Sequence, residues 1–178
     1  LGNHDYGEYY PWDSEEEWLE NMESLKNVFR KSGFRLLLNE HEYIERDGQK
    51  FTLAGVENWG KPPFPQYGDL AGTLKNIDNN EFIILMSHDP SHWDAQVKNH
   101  PNVFLTLSGH THAMQFGIGF GQWQWSPVKW KYKNWAGLYS ENGQHLYVNK
   151  GLGFIGFPGR VGMYPEITVF HLTSAAGN

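Results

Sequence analysis

Two short stretches constrain this chain more than anything else in it. Glu81 to Met86 (EFIILM) reads as a continuous apolar run, and Asn102 to Leu107 (NVFLTL) reads the same way. Neither shows the alternation of a strand that is wetted on one face, so each is expected to be a strand buried on both faces. Strands of that kind need covering layers, and ligands in such layered α/β folds collect at the strand carboxyl ends. Both stretches run into histidine. His88 follows the first, and Gly109-His110-Thr111-His112 follows the second.

The rest of the chain supplies the covering elements. Ser14 to Lys31 is expected to be a helix. Ser14 and Glu17 form a capping-box pair, and Trp18, Leu19, Met22, Leu25, Val28 and Phe29 recur at helical spacing. Gly33 stands where a helix ends. Phe34–Leu38, Glu42–Arg46 and Lys50–Glu57 read as strands, the last two joined by an Asp47-Gly48 turn. Gln144–Asn149 and Glu166–Leu172 complete the strand set. Asp69–Asp78 and Ser91–Lys98 read as short helices, Pro62, Pro63 and Pro65 mark a loop, and Ser174–Asn178 reads as a frayed tail.

Composition matters mainly for what it excludes. Lys and Arg number 14 against 20 Asp and Glu, a net charge of −6, so the basic footprint of nonspecific nucleic-acid binding is missing. A small anionic substrate stays open, because a metal ion can supply positive charge locally. The absence of cysteine removes disulfides, thiolate zinc sites and thiol nucleophiles together. No stretch approaches the roughly eighteen apolar residues of a membrane span, and no signal peptide is visible.

Neutral imidazole is the commonest metal ligand among side chains. A single histidine past a strand is more often a surface or capping residue, and His-X-His alone is a moderate signal. Three histidines at two equivalent strand ends, together with Asn3-His4-Asp5 at the start of the chain, are hard to place as core packing.

Gly2-Asn3-His4-Asp5, then Ser87-His88-Asp89-Pro90, then Gly109-His110-Thr111-His112, in that order, resembles the calcineurin-like metallophosphoesterases. The family pattern is Asp-X-His, Gly-Asp-X-X-Asp, Gly-Asn-His-Asp/Glu, a lone His, and Gly-His-X-His. The last three blocks are present here. The later stretch GLYSENGQHLYVNKGLGF resembles a membrane-associated bacterial branch of the family.

The resemblance implies a four-layer α/β/β/α sandwich with mixed sheets, an α+β fold of which residues 1–178 would be the C-terminal part of one domain. It also implies a site for two divalent ions, Mn, Fe or Zn, that hydrolyses a phosphate mono- or diester. Asn3, His88 and His110 would hold one ion, and His112 would help to hold the other. His4 would face the substrate as a donor or general acid, oriented by Asp5. A carboxylate hydrogen-bonded to imidazole raises its pKa, which suits that task.

Asp-X-His and Gly-Asp-X-X-Asp are absent, and neither His41-Glu42 nor Gly68-Asp69-Leu70 replaces them. The expectation is therefore a chain that lacks the upstream part, holds at most one ion and does not turn over substrate alone. Its rival is a metallophosphoesterase-like scaffold that binds a partner or a membrane surface without chemistry. The whole protein is expected at a membrane and this piece in solution, with a lipid-linked ester among the candidate substrates and oligomeric state open.

Other signals weigh less. Gly151-Leu152-Gly153-Phe154-Ile155-Gly156 fits a dinucleotide pattern, but the Pro158-Gly159 that follows cannot open the required helix, so no bound nucleotide is expected. Arg160 is a candidate contact for a substrate phosphate. The segment Gly121–Leu138, with Trp123, Trp125, Trp130 and Trp135, either packs over its own domain or faces lipid. His92, His100, His145 and His171 read as surface or satisfied histidines, and Glu15-Glu16-Glu17 as a solvated helix start.

Overall fold

A computed structural model describes residues 1–120 and 123–173. The expected tail at 174–178 and the first two residues of the tryptophan-rich segment lie outside the described residues.

Helix α1 (Glu15–Lys31) begins and ends as its sequence dictates. The Ser14 hydroxyl accepts the Glu17 N–H at 3.1 Å, while the Glu17 carboxylate accepts from the Asp13 N–H at 2.9 Å. At the other end Gly33 takes a φ of +83°, and the Gly33 and Phe34 amides donate back to Arg30 and Phe29. This is the glycine-terminated exit that only a residue without Cβ enters cheaply.

The main sheet has six strands in the order β1-β2-β3-β4-β8-β7. These are β1 (Glu40–Arg46), β2 (Gln49–Gly55), β3 (Ile83–Met86), β4 (Val103–Ser108), β7 (Gly137–Glu141) and β8 (Gln144–Val148). The four central strands run parallel, and each edge is an antiparallel hairpin. Both hairpins turn on an Asx-Gly pair at positive φ, Asp47-Gly48 and Asn142-Gly143, the pair that matches strand twist in a two-residue turn. Strands β5 (Ile118–Phe120) and β6 (Trp123–Trp125) form a separate hairpin.

One face of the sheet carries the core. Ala54, Ile83, Leu85, Val103, Leu146 and Val148 meet Leu70 of α2 (Leu70–Thr73), Trp93 of α3 (Ser91–Ala95) and Val97 of the following turn. The opposite face carries Met86 and Phe104, each more than a third exposed. The fold is thus layered α+β around one mixed sheet, but the two strands expected to be buried on both faces are open on this one at Met86 and Phe104.

Two strands expected from sequence do not form. Phe34–Leu38 forms no ladder. Both edges of β2 are already taken by β1 and β3, and Leu37 instead presses on Gly55, where an added Cβ would meet it at 2.6 Å. Glu166–Leu172 is likewise without a ladder, because β8 is flanked by β4 and β7. It is tied instead through Glu166 N–H to the Gly151 carbonyl and through Thr168 to Asn149. The helix expected over Asp69–Asp78 shortens to Leu70–Thr73, capped by the Asp69 carboxylate on the Gly72 N–H.

Candidate metal centre

Parallel strands place their carboxyl ends side by side, and β3 and β4 deliver His88 and the Gly109–His112 turn to one edge. The N-terminal turn brings Asn3 to the same point. Asn3 Oδ1 lies 3.1 Å from His88 Nε2 and 3.0 Å from His110 Nδ1, and the two imidazole nitrogens are 3.3 Å apart. Three donor atoms so spaced match ligands held about 2.1 Å from one ion, which stand about 3.0–3.4 Å from each other.

The N-terminal turn is clamped by Asp5. Its carboxylate accepts the Gly2 N–H at 2.7 Å, and the Asp5 N–H returns to the Gly2 carbonyl. Asp5, expected to orient His4, gives one carboxylate oxygen to the turn that carries Asn3. His4 itself is exposed, with its ring edge-on to Tyr9 at 5.5 Å.

The rings are kept neutral. Burial, with His110 next, pushes the His88 pKa down to about 3. Burial likewise lowers His110, although the Asp89 carboxylate opposes it, and burial followed by the Arg160 charge lowers His112. A neutral ring binds metal without first releasing a proton.

His110 Nε2 shares a hydrogen bond of 2.6 Å with the Tyr132 hydroxyl and stands 3.5 Å from Asp89 Oδ2. That carboxylate oxygen is buried and has no hydrogen-bond partner. A proton on Nε2 faces both groups and leaves Nδ1 bare toward Asn3 and His88, the outer-shell arrangement that fixes a ligand tautomer. Sequence reasoning passed over Asp89 and Tyr132. Asp89 directly follows His88, which was the available signal; Tyr132 had none beyond its aromatic neighbourhood.

His112 is outside the hydrogen-bonding contacts that join the other three. Its Nδ1 is buried and unpartnered, and a buried nitrogen of that kind calls for a partner. The donor set thus fits one divalent ion at Asn3, His88 and His110, with His112 free to contact a second. Among the described residues, no group of three His, Cys, Asp or Glu side chains converges to hold an ion; here the third donor is an amide oxygen.

The turn that carries these histidines is strained. His110, His112, Ala113, Met114 and Gln115 all have φ between +48° and +66°. Left-handed non-glycine residues cluster where a surrounding site over-determines them. Gln115 is the pin: its amide donates to the Phe157 and Gly159 carbonyls, and its oxygen accepts from the Ile155 N–H. The glycine-rich loop is thereby drawn toward the cleft, with no helix following it among the described residues.

Arg160 is a correction. Its guanidinium donates to the Gly153 carbonyl at 2.8 Å and the Lys150 carbonyl at 2.7 Å, with longer contacts to Met163 and His112 carbonyls. It staples the loop and is not among the residues lining the cleft.

That cleft, of about 680 Å³, opens over Asn3, His4, His110 and His112. The tryptophan-rich segment forms part of its wall. Val128, Tyr132 and Asn134 are buried, while Trp123 and Trp130 are exposed.

Comparison with known proteins follows the same line. The chain is 34% identical over 97% of its length to an uncharacterized metallophosphoesterase, YkuE, of Bacillus subtilis, and covers 54% of that protein. It is 31% identical to a zebrafish (Danio rerio) transmembrane protein with metallophosphoesterase domain, over 98% of this chain and 38% of the relative. An uncharacterized metallophosphoesterase of Aquifex aeolicus is 29% identical over 95% of this chain and 58% of its own. The chain thus spans about half the length of the curated relatives it matches. No family model and no solved structure matches. Among the described residues, no helix is long and apolar enough to cross a membrane. With its three motif blocks, its layered fold and relatives of one description along nearly its whole length, the chain belongs to the calcineurin-like metallophosphoesterase family.

Proposed function

We propose that the chain supplies one side of a dinuclear centre that hydrolyses phosphate mono- or diesters. The convergence of Asn3 Oδ1, His88 Nε2 and His110 Nδ1 within 3.3 Å carries this reading. Divalent ions in such a centre polarise a phosphoryl oxygen and supply hydroxide at neutral pH. His4, exposed on the cleft lining, is positioned to meet the leaving oxygen as a donor. Asp89 and Tyr132 hold the His110 proton on Nε2, and Asp5 fixes the turn that presents Asn3. His112, with its unpartnered Nδ1, contributes to the second ion.

One observation favours the scaffold reading for this chain taken alone: among the described residues, no three His, Cys, Asp or Glu side chains come together to hold an ion. We therefore expect at most one ion per chain and no turnover. Metal content by inductively coupled plasma mass spectrometry after manganese reconstitution tests this, with bis(p-nitrophenyl) phosphate as substrate. About one ion, lost in His88→Ala, supports the centre. Two ions with turnover would show a complete site, and no ion under any loading would leave only the scaffold.

A further inference from the structure

Above the imidazoles the cleft changes character. Its walls are Phe64, Met114, Val128, Trp130, Ile155 and Phe157. Four of these are also open to water at the rim, with Met114 58%, Trp130 76%, Ile155 45% and Phe157 60% exposed. A contiguous apolar lining left open beside polar chemistry marks a ligand groove.

Away from His4, His112 and Lys131, the side-chain amide and hydroxyl groups of the walls are engaged with the protein itself. Thr111 Oγ1 donates to the Trp135 carbonyl at 2.6 Å, and the Tyr132 hydroxyl is engaged with His110 at 2.6 Å. The Gln115 amide is used at both ends, on Phe157, Gly159 and Ile155. No carboxylate lines the cleft, and Lys131 is its one lysine or arginine among the described residues. Along Phe64, Val128, Ile155 and Phe157 a sugar would surrender its hydrogen bonds to water and meet only apolar side chains. An alkyl chain loses nothing on entering and gains by burial.

Resting on the phosphoesterase reading above, we infer that this cleft takes a phosphoester whose alcohol is a long alkyl chain. The phosphate meets the imidazoles and Lys131, and the chain lies along Phe64, Val128, Trp130, Ile155 and Phe157. The shared chemistry is an alkyl phosphate, whether monomeric or seated in a bilayer.

The test is isothermal titration of the whole chain with ethyl, butyl, hexyl and octyl phosphate. All are kept monomeric, and inorganic phosphate, octanol and adenosine 5′-monophosphate are compared, with and without manganese. Full burial gives about fourfold in affinity per methylene, so octyl phosphate is expected to bind at least about tenfold more tightly than butyl phosphate. Phe157→Ser and Trp130→Ser alter exposed side chains, which spares the fold, and should flatten the series. A flat series in the wild-type chain, or adenosine 5′-monophosphate binding more tightly than octyl phosphate, overturns the inference while ethyl phosphate still binds. Octanol binding as well as octyl phosphate, with no binding of inorganic or ethyl phosphate even with manganese, overturns the phosphate site itself. Capture by phosphatidic acid vesicles but not phosphatidylcholine vesicles assigns the bilayer as the source. A steep series without capture assigns a monomeric amphiphile.

Discussion

The amide oxygen of Asn3 and Nδ1 of His110 stand 3.0 Å apart although 107 positions separate them in the chain. Asn3 is 7% exposed, so its oxygen is held rather than offered to water. Replacing it by leucine removes one of three converging donors, and manganese affinity should fall by more than tenfold. Asn3→Asp keeps an oxygen in place and adds charge, so binding should be retained or strengthened. Titration calorimetry of both variants decides this. Equal affinity in Asn3→Leu and the wild-type chain would remove Asn3 from the centre.

Gly2 carries the His88 ring. A Cβ added there would lie 2.7–2.8 Å from three ring atoms, too close for any real contact, so the ring must turn away from Asn3. Gly2→Ala should weaken metal binding about tenfold with little loss of thermal stability. Gly153→Ala is the control, since its Cβ meets nothing within 4 Å and its φ is not positive. If the two variants bind alike, the ring does not lean on the turn.

Asp89 acts through His110. Its Oδ1 accepts the Ser91 N–H at 2.8 Å, while the buried Oδ2 is left facing Nε2 of His110. Asp89→Asn keeps an oxygen for Ser91 and removes the charge. Loss of such an outer partner typically costs 10–100-fold in metal affinity, and that is the expected drop. A change of less than threefold would leave Tyr132 alone to orient the ring.

How much of this was legible beforehand follows from what each residue depends on. His88 and His110 could be placed because a buried strand announces itself by an unbroken apolar run, and the residues just past it have one place to go. The Ser14 cap and the Gly33 exit were legible because a helix end is decided within four residues. Phe34–Leu38 misled because strand propensity says nothing about whether an edge is free; β1 and β3 had already taken both edges of β2. The β7 hairpin was missed although its Asn142-Gly143 turn was a usable signal. Arg160 and Asp5 read as strong polar groups, but the partners they take are not legible. Their carbonyl and amide partners, Gly153 and Gly2, are backbone, which no residue type reveals.

The left-handed run after His110 makes a stability prediction. Met114 has φ +54° and is 58% exposed, so little packing is lost on truncation. A non-glycine residue in this region costs about 1–2 kcal/mol, and glycine costs about 0.5–1 kcal/mol of unfolded-state entropy. Met114→Gly should therefore stabilise the chain by up to about 1 kcal/mol in urea unfolding. Ala113→Gly relieves the same strain but removes a methyl that is fully buried, so its gain should be smaller. Destabilisation by Met114→Gly would mean that the turn is not strained at this position.

His92 gives the chain an acid-sensitive core. It is fully buried, with Nδ1 on the Ser87 hydroxyl at 2.8 Å, Nε2 on the Gln96 side-chain oxygen at 3.0 Å, and its ring stacked on Trp59. Burial holds its pKa below the ordinary imidazole value, although the Gln96 bond and the nearby Asp89 charge pull the other way. The unfolded chain takes up this proton near pH 6.5 and the folded chain only at lower pH. Between those values the unfolded state binds more protons, so stability falls as pH falls below about 6.5. One such group contributes a slope of up to about 1.4 kcal/mol per pH unit. His88, His110 and His112 shift in the same direction and add to it. His92→Phe keeps the stacking on Trp59 but leaves Ser87 and Gln96 without their partner, so it should be less stable than the wild-type chain at pH 7.5. Its loss of stability between pH 7.5 and pH 5 should nonetheless be shallower by one proton's share. Urea unfolding of both proteins across that range reads the two slopes, and parallel slopes would show that His92 takes no part in the acid response.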